Sequence, residues 1–267
     1  MIRDITIGQY YKADSVIHRL DPRVKLMGTL IFIISLFMGM NIWIYAVVTV
    51  ALAVVIKMSR IPLKFMVRGL KSIVILIIIS AVFNLFLTPG DVLIQIWKLT
   101  ITYQGLKMAI FMVVRLIYLI VGTSLMTLTT TPNNLTDGLE KGLGFLKVIK
   151  VPGHEIAMMM SIALRFIPIL IEETDKIMKA QMARGADFEN GSLIKRAKAM
   201  VPILVPLFVS AFRRANELAM AMEARCYHGS EGRTKMKPLK YEKRDRIAYI
   251  SMVLYLGVII IVKIIAA

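Results

Sequence analysis

Cysteine occurs once in this chain, at Cys226, and histidine three times. A single thiol excludes an internal disulfide, and so few soft ligands exclude a cysteine-rich or zinc-type metal site. His154-Glu155 does not extend to His-Glu-x-x-His, because position 158 is methionine. No Gly-x-x-x-x-Gly-Lys-Ser/Thr loop is present, so the sequence predicts no ATP binding by this chain itself. It offers no catalytic cluster, and no cofactor is expected. Acidic residues are also scarce, 17 against 34 basic, which gives a net charge of +17. Nucleic-acid binding produces such a balance. Basic loops facing anionic lipid produce it too, and they are the simpler account in an apolar chain. The first 25 residues are polar and lack an apolar core or a small-residue cleavage site, so no cleavable signal is expected.

What the chain has is hydrocarbon. Apolar residues make up 57% of its 267 positions, against about half in soluble domains. Several runs approach the roughly 20 residues that cross about 30 Å of bilayer core. The expectation is an all-α polytopic membrane protein with about five transmembrane helices. The runs are 26–38, 42–56, 72–87, 105–128 and 247–265. The first two are short, and the turn Gly39-Met40-Asn41 either joins them as a tight hairpin or belongs to one re-entrant unit. Asp21-Pro22 reads as a helix cap followed by a first-turn proline. Lys57, Arg60, Lys64, Arg68 and Lys71 form a basic segment broken at Pro62, predicted to lie on a membrane face. Thr88-Pro89-Gly90-Asp91 is a turn, and 92–104 a short connection. Arg115, inside the fourth run, is expected to pair with a neighbouring carbonyl or polar group.

Residues 129–246 differ in kind, with 20 Lys/Arg and 13 Asp/Glu. The pattern gives no uninterrupted span there. The predicted organisation is a membrane region at 1–128, a coupling-helix region at 129–246 and a last membrane helix at 247–267. The basic residues fall in the N-terminus, the 57–71 loop and 129–246, and are nearly absent from the 39–41 and 88–104 connections. The positive-inside rule therefore places the first set in the cytoplasm and the C-terminus outside.

Three helices are predicted in 129–246. Thr131-Pro132 opens the first, which frays near 142–144. The second runs from about Pro152 to Arg184, with Ile156, Met160, Ala163, Ile167, Leu170, Thr174, Ile177 and Gln181 along one stripe. Pro168 is expected to kink it, and Glu172–Lys176 and Asp175–Lys179 are spaced as i,i+4 pairs. Gly185 supplies a left-handed stop. A polar loop at 187–192 follows, and Ser192 caps the third helix, which runs to about Tyr227. Its early Lys195, Arg196 and Lys198 oppose the helix dipole unless anionic headgroups or an acidic partner lie nearby. One face of each helix is too apolar for water, so these helices are expected at the bilayer surface against a membrane partner. Glu172, Glu173 and Arg165 are read as surface or inter-helix pairs.

Two near-copies of one hexamer close the second and third helices. They are Ala180-Gln-Met-Ala183-Arg184-Gly185 and Ala221-Met-Glu-Ala224-Arg225-Cys226. An arginine in a last helical turn ordinarily complements the dipole. Two in matching contexts point further. The alanines clear one face of the turn, so a partner can approach while the guanidinium reaches an acidic or carbonyl-lined groove. Eight of the 19 methionines fall between Met158 and Met222. They serve either ordinary packing or an adaptable surface that repacks against different partners.

Ser15–Lys25, Thr130–Glu140, Ala163-Leu-Arg-Phe-Ile-Pro168, Gln181–Phe188 and Ala221–Tyr227 together resemble the transmembrane T component of energy-coupling factor transporters. The chain is also similar to the related subunit of cobalt and nickel importers. The resemblance covers nearly the whole chain. It implies a prokaryotic cell-membrane scaffold that couples two ABC ATPase subunits, identical or not, to a substrate-binding S component. That component is one at a time, dedicated or exchangeable, and serves uptake of vitamins or other micronutrients. It implies ATPase docking through Ala183, Arg184 and Gly185 and through Ala224, Arg225 and Cys226. Met158, Met159, Met160, Ala163 and Ile167 are the candidate S-component-facing residues. Cys226 departs from the usual glycine, and Gly229 is the candidate replacement stop. The alternatives are a dedicated cobalt or nickel importer subunit, a membrane-anchored enzyme, or a basic nucleic-acid tether. The missing catalytic cluster disfavours the enzyme. Only the charge suggests the tether, and no nucleic-acid partner is expected.

Overall fold

Asp21 and Pro22 fix where the first helix begins. The Asp21 carboxylate accepts a hydrogen bond from the Arg23 backbone N–H at 2.9 Å. Proline at the first helical position gives up a donor that the helix does not use. In the computed structural model, which describes residues 10–71, 73–96, 99–142, 153–186, 188, 192–229 and 238–265, helix α1 spans Pro22–Phe37. It starts four residues before the apolar run, because the cap lies upstream of the hydrocarbon stretch. Asn41 caps α2 (Ile42–Ser59) by accepting from the Trp43 N–H at 3.2 Å. Arg60 ends α2 in the left-handed conformation, φ 56°. Pro62 separates it from α3 (Leu63–Lys71), and α4 (Val74–Leu87) follows.

The segment expected as a short connection is a β-hairpin. Strands β1 (Val92–Ile96) and β2 (Leu99–Thr102) pair antiparallel, with a register shift between Val92 and Ile94. Alternating Val, Ile and Thr satisfy strand sterics over a run too short to show a clear period. The Gln104 side chain closes the open end, accepting from the Asp91 N–H and donating to its carboxylate, both at 2.8 Å. Thr102 caps α5 (Tyr103–Thr129) by accepting from the Gly105 N–H at 3.0 Å, and its hydroxyl donates to the Thr88 carbonyl at 2.9 Å. At Gly105 a Cβ would sit 2.9 Å from the Leu85 carbonyl oxygen. Its absence lets α4 and α5 pack closely, as small residues do between membrane helices. After Thr131, whose hydroxyl accepts from the Asn134 N–H at 3.3 Å, α6 spans Pro132–Gly142. Helices α7 (Gly153–Ala183) and α8 (Leu193–Glu223) precede α9 (Lys243–Ile265).

The chain divides into two units. The larger comprises Gly8–Gly138 and Leu239–Ala267, with α5 against α1, α2, α3 and α4, and α9 against α1 and α2. One core cluster gathers Leu52, Ile61, Met66, Val121, Leu125 and Leu128. The other gathers Leu36, Ile44, Tyr45, Val48 and Ile259. The Ser15–Lys25 segment knots three helix ends together. The Lys25 ammonium donates to the carbonyls of Thr129 at 2.8 Å and His18 at 3.1 Å. The buried Asp245 carboxylate accepts from the backbone N–H groups of Asp21 at 2.9 Å and Glu242 at 2.8 Å. Arg23 pairs with Asp21 at 2.9 Å and lies 3.9 Å from the Tyr241 ring centroid. Arg115, buried in α5, donates from Nε to the Tyr45 hydroxyl at 3.0 Å and stands 5.1 Å from the Phe37 ring centroid. This is the neutral polar partner that the sequence predicted.

Helices α2, α5, α7 and α9 are each long and apolar enough to cross a membrane, and α3 with α4 makes a fifth such unit across a bend. Helix α4 exposes Ile75, Leu76, Ile78, Ile79, Val82 and Phe83. An apolar surface nearly all round suits a helix bathed in lipid. Two differences from the sequence reading stand out. Helix α1, at 16 residues, is shorter than these spans. Helix α7 qualifies although the residue pattern of 129–246 gives no uninterrupted span. Glu155, Arg165 and Pro168 break up its apolar pattern, but its backbone continues through Pro168 for 31 residues.

The smaller unit, built on Leu139–Pro238, contains α7 and α8 packed against each other. Each is 31 residues long, and α8 also continues through Pro202 and Pro206. The expected fraying at 143–144, most of the loop at 187–192 and the side chains of Lys195 and Arg196 lie outside the described residues.

Candidate functional site: the paired helix tips

Helix α7 ends by a double hydrogen bond. The Gly185 N–H donates to the Met182 carbonyl at 2.9 Å and the Ala186 N–H to the Gln181 carbonyl at 3.0 Å. Gly185 sits at φ +87°. This is a Schellman stop, in which one left-handed residue turns the chain so that two orphan carbonyls are satisfied. Helix α8 ends the same way. The Cys226 N–H donates to the Glu223 carbonyl at 2.9 Å and the Tyr227 N–H to the Met222 carbonyl at 3.1 Å. Cys226 itself takes the left-handed conformation, φ +55°. The expectation that Gly229 replaces the missing glycine stop is therefore corrected. Gly229 is also left-handed, at φ +97°, but it lies beyond a turn already closed by Cys226. The two local capping hydrogen bonds offset the Cβ cost of about 1–2 kcal/mol.

Both tips present the same surface. Ala183, Arg184 and Gly185 are exposed, as are Ala224, Arg225 and Cys226. Neither guanidinium has a carboxylate partner among the described residues. Cys226 is a free thiol.

The two helices run antiparallel. Gln181 Nε2 donates to the Pro202 carbonyl at 3.5 Å, and the Ser210 hydroxyl donates to Glu173 Oε1 at 2.5 Å. Moving eight residues back along α7 thus moves eight forward along α8. Arg184 and Arg225 consequently cap opposite ends of the pair. Arg214 completes the contact, its Nη2 and Nε donating to Glu173 Oε2 at 3.1 and 3.3 Å. Glu173 is thus the inter-helix pair that the sequence allowed, whereas its partners Ser210 and Arg214 were not foreseen. The predicted pairs Glu172–Lys176 and Asp175–Lys179 do not close among the described residues. Glu172 and Lys176 instead border a shallow groove beside Glu173 and Arg214. Water competes well for such exposed pairs, which are worth little.

Of the candidate membrane-partner residues, Met159, Met160, Ala163 and Ile167 are exposed and Met158 is half-buried. The stripe they begin turns inward beyond Ile167, where Leu170, Thr174 and Ile177 are half-buried. On α8, Val205, Phe208, Val209, Phe212 and Met220 line an open apolar groove with Arg213, Asn216 and Glu217. His154 Nδ1 lies 3.0 Å from Glu140. Among the described residues no cluster of three or more His, Cys, Asp or Glu side chains could hold a metal.

The sequence pattern of the CbiQ family, described as cobalt transport protein, matches residues 13–236. A protein of Clostridium kluyveri named energy-coupling factor transporter transmembrane protein EcfT is 57% identical over 250 residues, covering 93% of each chain. The chain belongs to the EcfT-type transmembrane proteins of the CbiQ family. EcfT of Thermosediminibacter oceani is 56% identical over 250 residues, 94% of each chain. EcfT of Bacillus subtilis is 47% identical over 254 residues, 95% of this chain and 96% of its own. With its several long apolar helices this EcfT-type chain is a multi-pass membrane transport protein.

Proposed function

We propose that this chain is the coupling scaffold of an energy-coupling factor importer. It passes ATP-driven movement from two ABC ATPase subunits to a substrate-binding S component. The observation that carries the reading is the pair of matching helix ends. Each exposes an arginine that has no carboxylate partner among the described residues, behind a cleared alanine face, at opposite ends of one antiparallel pair. Two such tips suit two related sockets. Each socket would recognise the guanidinium through carboxylates or carbonyls matched to its donor fork. Ala183, Arg184 and Gly185 dock one ATPase, and Ala224, Arg225 and Cys226 the other. The exposed Met159, Met160, Ala163 and Ile167, with Met158 beside them, face the S component. That component carries the substrate, a vitamin or other micronutrient.

The N-terminus and residues 129–246 lie in the cytoplasm by the positive-inside rule. Helix α7 lies at the bilayer surface despite its length, because its neighbours carry much of the chain's positive charge. The decisive experiment replaces Arg184 or Arg225 with glutamate and measures co-purification of the ATPases, ATP hydrolysis and uptake in one reconstituted system. Each variant is expected to weaken assembly or uncouple hydrolysis from uptake by at least about tenfold, as loss of a buried charge-assisted pair does. Normal assembly and uptake in both would refute the docking role. The cobalt description of the family keeps a dedicated cobalt or nickel importer as a second reading. Uptake assays with the neighbouring binding components separate the two.

A further inference from the structure

The contact between Glu173 and Arg214 has a property that its chemistry alone does not reveal. The two residues are 41 positions apart. The arginines of the two tips, Arg184 and Arg225, are also 41 positions apart. Glu173 and Arg214 are therefore equivalent positions in the two helices, each 11 residues before its terminal arginine. At a rise of 1.5 Å per residue, each tip stands about 16 Å along its own helix from the contact. The helices run antiparallel, so a two-fold rotation exchanges them, tip for tip. A residue touches its own counterpart only where such an axis passes. The Glu173–Arg214 contact therefore marks the local two-fold axis of the α7–α8 pair.

Identical charges at counterpart positions would repel one another across the axis. Here the counterparts are opposite in sign, and the buried Ser210 hydroxyl holds the second carboxylate oxygen. It is also the one ion pair between α7 and α8 among the described residues. The other hydrogen bond between the two helices among the described residues is the long one from Gln181 to the Pro202 carbonyl, which permits sliding more readily than a fork of three directed bonds.

We propose that the Glu173–Ser210–Arg214 clasp is the pivot of the coupling device. It fixes the register of α7 against α8, so that displacement of one tip is passed to the other over equal arms. Glu173, Ser210 and Arg214 are positioning residues. They touch neither ATPase nor substrate in this scheme, and act by holding Arg184 and Arg225 at matched distances. The inference rests on the coupling role proposed above. The two fail separately, because docking is tested in Arg184 and Arg225 variants whose clasp is intact.

The test uses the whole complex in vesicles and reads three quantities: ATPase subunits co-purified, ATP hydrolysed, and substrate taken up per ATP. Glu173→Gln and Arg214→Gln are expected to keep normal assembly and hydrolysis while lowering uptake per ATP by about fivefold, the scale of one partly exposed ion pair. The exchanged pair Glu173→Arg with Arg214→Glu restores opposite charge at the axis and is expected to recover most of the ratio. Should a charge variant fail to insert, Ser210→Ala removes one hydrogen bond and is expected to lower the ratio by about twofold. An unchanged ratio in the single variants overturns the pivot. So does loss of assembly, which marks a brace for docking alone, or failure of the exchanged pair to recover.

Discussion

Cys226 holds a backbone conformation that glycine adopts freely and other residues avoid. Its φ of +55° reproduces the turn made by Gly185 at +87°. The two capping hydrogen bonds impose this geometry. Cys226→Gly is therefore expected to stabilise the α8 terminus by about 1 kcal/mol, since glycine adopts the left-handed region without a Cβ penalty. Thermal unfolding of the detergent-solubilised protein, with amide exchange at Tyr227 as a local probe, measures the gain. Residue preferences alone point to a glycine at that position, which is why the sequence suggested Gly229. Local preference lost to a specific pair of hydrogen bonds.

The chemistry of the Ser15–Lys25 segment predicts a pH dependence at the scale of the element. His18 Nε2 lies 3.0 Å from the Tyr11 carbonyl, which can only accept, so Nε2 carries the proton. Nδ1 then accepts from the Ser15 hydroxyl at 2.7 Å. Burial is the main cause holding His18 below its ordinary value of 6.5, with the nearby Lys25 charge adding to it and the Tyr11 carbonyl opposing. A depressed folded pKa means that the unfolded chain binds the proton first. Stability is thus full above about pH 6.5 and declines as pH falls from there to the folded value. The melting temperature is expected to fall across that window, and His18→Gln to flatten the step. A step unchanged by the substitution would assign it to another group.

Elements also show where sequence reading works. Asp21, Asn41 and Thr131 were legible as starts or turns because each acts on a backbone N–H two or three residues away. The hairpin at Val92–Thr102 was not legible. Its strands of five and four residues are too short for a period to rise above the surrounding apolar composition. The Glu173–Arg214 clasp leaves no local trace either, since its partners are 41 residues apart and meet only once two helices have packed. The tips were read correctly as helix ends, because a stop is written in adjacent residues. Their placement at opposite ends of one pair required the fold.

At the scale of the molecule, orientation is the property most open to a direct test, and the chain carries its own probe. Cys226 is its only cysteine and is exposed. A membrane-impermeant maleimide is expected to label it in inverted vesicles and not in right-side-out ones. ATPase subunits bound at Arg225 should protect it. Labelling from the outer side would reverse the proposed topology, and labelling undiminished by bound ATPases would remove that tip from the docking surface.

The difference between Gly185 and Cys226 also makes the paired tips unequal in compliance. Glycine occupies positive and negative φ with similar ease, so the turn after Arg184 can open and re-close with little preference. Cysteine at +55° lies uphill of its usual backbone wells, so the turn after Arg225 is biased towards release once its capping bonds break. One end of the device is slack and the other is sprung. Amide exchange is expected to be faster at Cys226 and Tyr227 than at Gly185 and Ala186, with the sprung end the first to yield.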